Sequence, residues 1–368
     1  MLPHGSLVRR SWSMEGEWPK VSLMKAIHFT QFQGELSVLE LPMPQVSDKG
    51  VVIKVEATGL CRSDWHGWMG HDSDIALPHV PGHELAGIIS EVGSAVKKYA
   101  VGDRVTVPFV CGCGDCNFCL RGDAQICPTQ TQPGFTGFGS FAEYVAIENA
   151  DFNLISLPSE ISFSTAAALG CRFATAFRGL AKRAEVAPGE TVIIYGCGGV
   201  GLSAIMIAKS LGAVVYAVDV SDTALELAER LGAIPINSKE VDPVTYIQDL
   251  GGAQIAVDAL GSEVTAGQSV MSLRRRGRHL QLGLMLTPSG LSAMPMARVI
   301  AWELDILGSH GMAARDYPEM LAMVAAGTLN PSLLVTRKVG LAQGAAALRD
   351  MGTSTLVAAG ITVITPAS

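Results

Sequence analysis

Charge is scarce in this chain. Of its 368 residues, only 17% are Asp, Glu, Lys or Arg, and only 6% are aromatic. There is no basic excess: 27 Lys and Arg face 34 Asp and Glu, for a net charge of -7. A mildly acidic chain is a poor binder of nucleic acid or anionic membranes by bulk electrostatics. The one basic run, Arg274-Arg275-Arg276, reads as a solvated turn. Long apolar runs are also missing. The longest, Leu202 to Val218, is broken by Lys209, Ser210 and Gly212, whereas a membrane span needs about 20 nearly continuous apolar residues. Arg9-Arg10 is followed by Ser-Trp-Ser-Met-Glu-Gly-Glu, which gives no apolar core for a secretory or twin-Arg signal. Met24-Lys25-Ala26 has the look of a natural start. Residues 1–23 are therefore expected to be a leader, disordered or loosely attached, and the location is expected to be cytoplasmic. Internal repeats and low-complexity segments are absent. What is plentiful is apolar surface, at 48% of residues, and glycine, at 40 residues. That suffices for a sizeable core in two or three domains with many tight turns.

The eight cysteines are not randomly placed. Cys113, Cys116, Cys119 and Cys127 read C-x2-C-x2-C-x7-C. Four thiolates this close suit a closed tetrahedral zinc site with ligands about 2.3 Å from the metal. Gly114, Asp115, Asn117 and Gly122 favour the turns this requires. The alternative is a pair of disulfides, which a chain of this size without a signal peptide has little need of. Cys111 is off the spacing and is read as a spare thiol. A second set is dispersed: Cys61 in Gly-Leu-Cys-Arg-Ser-Asp-Trp-His, His83 in Pro-Gly-His-Glu, and Cys171 in Leu-Gly-Cys-Arg-Phe. Two cysteines and one histidine leave the fourth position of a tetrahedral zinc open, as catalysis needs. Taken singly, each residue is more often a core cysteine or a satisfied histidine.

The third pattern is Thr191 to Tyr195, a β-branched run feeding into Gly196-Cys197-Gly198-Gly199-Val200-Gly201. Leu202, Ile205, Met206 and Leu211 follow at helical spacing, and Ala213 to Val218 forms a second strand ending in Asp219. A lone G-x-G-x-x-G is weak, but strand, glycines, helix, strand and terminal acid in this order predict a dinucleotide-binding unit. Its glycines let the backbone approach a pyrophosphate, which the helix N-terminus attracts. Asp219 can accept from both ribose hydroxyls and repels a 2′-phosphate, and Val220-Ser221-Asp222 offers no cation. NAD is therefore favoured over NADP. Further elements are expected at 224–231 (helix), 234–236 (extended), 255–258 and 279–282 (strands), 264–273 (helix) and 302–307 (strand), completing a doubly wound parallel sheet. Lys25 to about Phe152 is different: short strands at 51–57, 86–92 and 104–107 separated by Gly and Pro predict a β-rich, barrel-like domain. A helix at 317–326 and a strand at 360–364 close the chain and are expected to return to the first domain.

Taken together, the Gly-His-Glu at 82–84, the four-cysteine lobe, the glycine loop and Gly170-Cys171 resemble the zinc-dependent medium-chain dehydrogenase/reductase family, close to bacterial and yeast-like alcohol dehydrogenases. Cys2His is the known catalytic ligand set of alcohol dehydrogenase. The resemblance implies a GroES-like catalytic domain (24–174, with a structural zinc lobe at about 111–127), a Rossmann domain (175–307) and a C-terminal return (308–368). It implies two zinc ions per subunit: a catalytic one on Cys61, His83 and Cys171, and a structural one on Cys113, Cys116, Cys119 and Cys127. Asp64 would hydrogen-bond the other nitrogen of His83. Glu84 would sit behind the metal or transiently replace its water. Ser63 and His66 match the family's proton relay. Arg62 matches a pyrophosphate contact, and Thr175 packs on the nicotinamide. Gly196, Gly198, Gly199, Val200, Gly201, Asp219, Leu282 and Leu284 complete the NAD-contacting set. The implied activity is reversible hydride transfer between an alcohol and NAD, giving an aldehyde or ketone. A polyol or amino-alcohol dehydrogenase is the alternative, though those relatives often carry Glu where Cys171 stands. A non-catalytic module reusing the fold is disfavoured by the intact relay and open zinc site. The late Arg that some relatives place on the pyrophosphate has no counterpart in Val357-Ala358-Ala359-Gly360, which predicts weaker NAD binding. The short stretch from Cys127 to Phe141 points to the tetrameric branch. Trp65, Trp68 and Met69 either line an apolar substrate pocket or pack in the core.

Overall fold

The computed structural model describes residues 22–286, 291–352 and 360–367. Most of the expected leader, residues 1–21, lies outside them, but its boundary moves. Leu23 is already the first residue of β1 (Leu23–His28), which pairs antiparallel with β2 (Ser37–Pro42). The ten-residue β3 (Val51–Leu60) is the centre of a seven-stranded sheet with β4 (Glu84–Val92), β5 (Arg104–Thr106), β6 (Tyr144–Ile147) and β7 (Ile155–Ser156). Val51, Val52, Ile53, Val55 and Ala57 are all buried, because this strand has neighbours on both edges and packing on both faces.

The second sheet is all parallel. It contains β8 (Thr191–Tyr195), β9 (Val214–Asp219), β10 (Ile234–Asn237), β11 (Ala253–Asp258), β12 (Leu273–Gln281) and β13 (Asp305–Gly308), in the order β10-β9-β8-β11-β12-β13. This is the doubly wound arrangement, with the topological switch between β8 and β11. Its helices run over Gly199–Ser210, Asp222–Arg230, Pro243–Asp249, Glu263–Met271 and Met296–Trp302. The chain then returns. β14 (Val335–Val339) and β15 (Ile361–Ile364) are parallel to each other, and β15 joins the first sheet antiparallel to β3, Thr362 opposite Leu60.

Two sequence expectations need correction. Arg274-Arg275-Arg276 is not a simple turn: it lies inside β12, where the pairing with β11 lapses between Leu273 and Arg278 and the three side chains point to solvent. Trp302 does not begin the last strand; it ends the preceding helix, and β13 starts at Asp305. Its ring lies under Arg298, whose guanidinium is 3.3 Å from the ring centroid, a cation–π contact that a strand reading could not foresee.

One hydrophobic core spans both sheets. It joins Ala57 and Ala86 of the first sheet to Val192, Ile194 and Val257 of the second through Leu169, Phe173, Phe177 and Leu180. The segment 163–183 is thus the hinge of the packing. At the start of the Rossmann helix, Gly201 is required by close approach. A Cβ there would lie 1.7 Å from the Gly196 carbonyl oxygen. Gly201→Ala is therefore expected to lower stability by about 1–3 kcal/mol or more through overpacking and to weaken nucleotide binding, both measurable by thermal melting with and without NADH.

Candidate active site

Pairing of β3 with β4 brings the first two candidate ligands together. Gly59 lies opposite Glu84, so Cys61, just past β3, and His83, just before β4, meet at one end of the sheet. Cys61 caps the helix Arg62–Trp68, and its backbone N–H donates to Asp64 Oδ2 at 2.9 Å. Asp64 Oδ1 accepts from His83 Nδ1 at 2.8 Å and from the Gly82 N–H at 3.1 Å. This fixes the histidine tautomer, as carboxylates behind metal-binding histidines do. Cys171 arrives from a kink: Gly170 has non-helical backbone angles inside the wide turn Leu169–Phe173. A Cβ at Gly170 would meet Glu84 Cβ at 2.8 Å, so only glycine lets the chain pass close enough to aim Cys171 inward.

The donor atoms of Cys61, His83, Glu84 and Cys171 lie within 4.8 Å of one another. His83 Nε2 is buried and has no hydrogen-bond partner. A buried orphan acceptor among two thiols is explained by a metal ion. Electrostatics agree. The Cys61 thiol is held well below its ordinary range, first by a hydrogen bond from Cys171 and then by the charge of Arg172 and contact with His83, against burial. Burial disfavours charge on His83, but Asp64 and Cys61 outweigh it and raise its pKa well above the usual value. A divalent cation held by these donors would take the place of these protons.

Glu84 is fully buried and paired with Arg172. Arg172 Nε and its backbone N–H donate to Oε1 at 3.1 and 3.0 Å, and Nη2 bonds Oε2. Arg172 was missed in the sequence, although an arginine inside the apolar run Leu169–Phe177 is itself a signal, since a buried guanidinium needs a carboxylate. Its chain also reaches the nucleotide loop: a Cβ on Gly199 would lie 3.0 Å from Arg172 Nη1. Arg62, the expected pyrophosphate contact, donates to the Met351 carbonyl at 2.6 Å and stacks on Trp65 at 4.4 Å.

The other expected residues are placed as follows. Ser63 Oγ is 3.7 Å from Cys61 Sγ. His66 is half-buried, and burial, with Arg62 and His71 behind it, pushes its pKa down to about 4. Thr175 Oγ1 accepts from the Gly311 N–H at 3.1 Å. Gly198 and Val200 sit at the start of the Rossmann helix, with open space over Gly198. Leu282 packs on the main core, while Leu284 is exposed. Asp219 accepts from the backbone N–H groups of Cys197, Val220 and Ser221 at 2.7, 2.7 and 2.9 Å. These bonds fix the carboxylate at the end of β9, where a ribose would lie. Trp68 is core, packed with Phe29, Ile75 and Phe135. The aromatic groups edge-on to His83 are Phe135 and Phe109, at 5.2 and 5.9 Å between ring centres. Neither was singled out in the sequence, because each comes from an irregular loop with no pattern to mark it. The segment 357–359, where a late Arg was sought, lies outside the described residues.

In the second cluster the sulfurs of Cys113, Cys116, Cys119 and Cys127 also lie within 4.8 Å of one another. The Cys116–Cys127 and Cys113–Cys119 sulfur separations, 3.8 and 3.9 Å, are far longer than a disulfide bond of about 2.05 Å. Backbone N–H groups of Cys113, Cys116 and Cys119 donate to sulfurs at 3.4–3.5 Å, an environment that favours thiolates. Burial opposes this at Cys127, yet the Cys113 N–H and Thr129 bring its pKa down to about 6.

The two sheets and these two clusters define a medium-chain dehydrogenase, and comparison with known proteins agrees. Residues 47–159 match the alcohol dehydrogenase GroES-like domain, and residues 199–326 match the zinc-binding dehydrogenase family. An alcohol dehydrogenase of Geobacillus stearothermophilus is 36% identical over 309 residues, covering 83% of this chain and 90% of the relative. An NAD-dependent alcohol dehydrogenase of Sulfurisphaera tokodaii is 32% identical, covering 86% and 93%. The solved alcohol dehydrogenase of Thermus sp. ATN1 superposes with a TM-score of 0.85 at 28% identity, over 93% of this chain and all of that one. The chain belongs to the zinc-dependent medium-chain alcohol dehydrogenase family.

The four-cysteine lobe offers four sulfurs and so leaves a tetrahedral metal no open position; its contribution is expected to be to stability. Cys116→Ser should destabilise the protein on the order of 4 kcal/mol, as loss of a metal ligand does, while the catalytic metal stays bound. Calorimetry combined with metal analysis checks this; a normal melting temperature with one zinc missing would refute it.

Proposed function

We propose that this chain oxidises a small alcohol to an aldehyde or ketone with NAD, reversibly, at a zinc ion held by Cys61, His83 and Cys171. The observation that carries this reading is the buried, unpartnered His83 Nε2 facing two thiols, beside an arginine that touches the dinucleotide loop. When bound, zinc supplies Lewis-acid activation of the alcohol and NAD accepts the hydride. The chain's own residues do the rest. Asp64 orients His83. Glu84 holds Arg172 against the loop. Ser63 takes the alcohol proton, and His66, neutral at physiological pH, passes it outward. Phe109 and Phe135 exclude water and favour an apolar substrate. Cys171 in place of a carboxylate stands against the polyol reading.

A second zinc on the four-cysteine lobe, a homotetramer and a cytoplasmic location belong to the same proposal, as do domain boundaries near 174 and 307. No described helix is long and apolar enough to cross a membrane.

The first test is NADH absorbance with a panel of primary, secondary and benzylic alcohols, on protein loaded with zinc and after chelation. Activity is expected only with zinc. Ser63→Ala should lower oxidation by about 10²–10⁴-fold, the range for a proton-transfer group, with zinc content unchanged; loss of zinc in this variant would refute the role. A second test addresses the cofactor. Asp219→Gly combined with Val220→Arg should shift the kcat/KM ratio toward NADP by at least about tenfold, or about 1.4 kcal/mol. An unchanged ratio would show that the acid does not face the ribose.

A further inference from the structure

His66 does not end in solvent alone. Its Nδ1 lies 3.0 Å from Nδ1 of His71. The His71 backbone N–H also donates to the His66 carbonyl at 3.0 Å, so the two residues are tied at main chain and side chain. The Trp65 indole lies edge-to-face against both rings, at 5.0 and 5.9 Å between centres. Arg62 stacks on the same indole at 4.4 Å and donates to Met351, so the indole is held from its other face. The two imidazoles are therefore held in register, the inner one half-buried and the outer one exposed.

Nitrogen facing nitrogen constrains the protons. One Nδ1 must carry the hydrogen and the other the lone pair. If His66 donates, its Nε2 keeps a lone pair and is free to act as a base. The pair then accommodates one extra proton but not two, because two imidazolium rings would oppose N–H to N–H.

We propose that His71 is the outer station of the proton relay. This rests on the reading of Ser63 and His66 as relay residues. A proton arriving from the site forms a new bond to His66 Nε2. The His66 Nδ1–H bond breaks as the proton moves to His71 Nδ1, and the His71 Nε2–H is released to a water molecule. One proton leaves the site, and both rings end neutral in the opposite tautomers. Turning of the rings, or the reverse reaction, restores the starting state. Oxidation of NAD's partner alcohol supplies the proton, so no other reactant is required.

The environment explains why a second ring is useful. The charged and titratable groups acting on His66 are Arg62, His71 and Cys61. Burial, Arg62 and His71 all disfavour a cation there, so a proton held on His66 is unstable and is readily passed on. The exposed His71 ring can hydrate the charge.

The test compares His71→Gln with His66→Gln in the zinc-loaded enzyme. His71 is exposed, so its replacement leaves the core intact. Alcohol oxidation by His71→Gln should fall on the order of tenfold at mildly acid pH, less than the full effect of a proton-transfer group, and imidazole buffer should restore it. The double variant should be no slower than His66→Gln alone. Ring ¹⁵N NMR gives a readout independent of turnover: His66 Nδ1 should be protonated in the parent protein and should change its tautomer population in His71→Gln. A His71→Gln enzyme with parent rates at every pH, beside an impaired His66→Gln enzyme, overturns the role of His71 and leaves the relay intact. Parent rates in both variants overturn the relay reading itself, and His71 with it.

Discussion

A guanidinium and a carboxylate buried together can remain charged only as a pair, and the site is arranged around one such pair. Glu84 is completely buried and Arg172 nearly so. Removing one partner from a buried pair typically costs about 3–5 kcal/mol, because the other charge is left uncompensated. Three separate parts of the chain depend on it. Glu84 begins β4 next to the candidate ligand His83. Arg172 follows the candidate ligand Cys171 at the kink. Gly199 opens the Rossmann helix against the arginine's side chain. One buried pair therefore links the candidate donors to the dinucleotide loop, and in a dehydrogenase the relative placement of these two parts matters, since misplacement by about 1 Å can cost about 10²-fold in rate.

The ligand cluster shows the same economy of parts. Asp64 accepts from His83, Gly82 and Cys61, so one carboxylate holds two candidate ligands and the loop before β4. Because Asp64 lies in the helix that Cys61 caps, the proposed relay residues Ser63 and His66 are placed by the same short helix. The aromatic groups beside His83 have another source: Phe109 and Phe135 come from loops of the β-rich domain, and both are buried against the histidine ring.

Much of this was legible in the chain alone. Closely spaced zinc donors mark themselves, so the four-cysteine lobe stood out, while the dispersed Cys61, His83 and Cys171 were joined only by their flanking motifs and a family resemblance. A dinucleotide loop needs glycines between strand and helix, so residues 196–201 stood out as well. The β-branched strands of the parallel sheet were readable because a strand buried on both faces must be apolar throughout. The end of the Met296–Trp302 helix was not, because apolar residues there suit either a helix or a strand.

The spacing of the four cysteines and the strand–glycine–helix–strand order of the dinucleotide unit are local patterns of residue type, whereas Cys61, His83 and Cys171 are dispersed along the chain and are joined in the sequence only by resemblance to a family. What lies between these parts depends on tertiary packing. That Arg172 pairs with Glu84 beside the loop, that Arg62 donates to Met351, that Asp219 accepts from three backbone N–H groups, that Phe135 rather than Trp68 lies edge-on to His83, and that His66 meets His71 all depend on which side chains come together across the fold. Such contacts are set by strand register, a kink at one glycine and the packing of a core shared by two sheets. None of these leaves a local pattern in the chain.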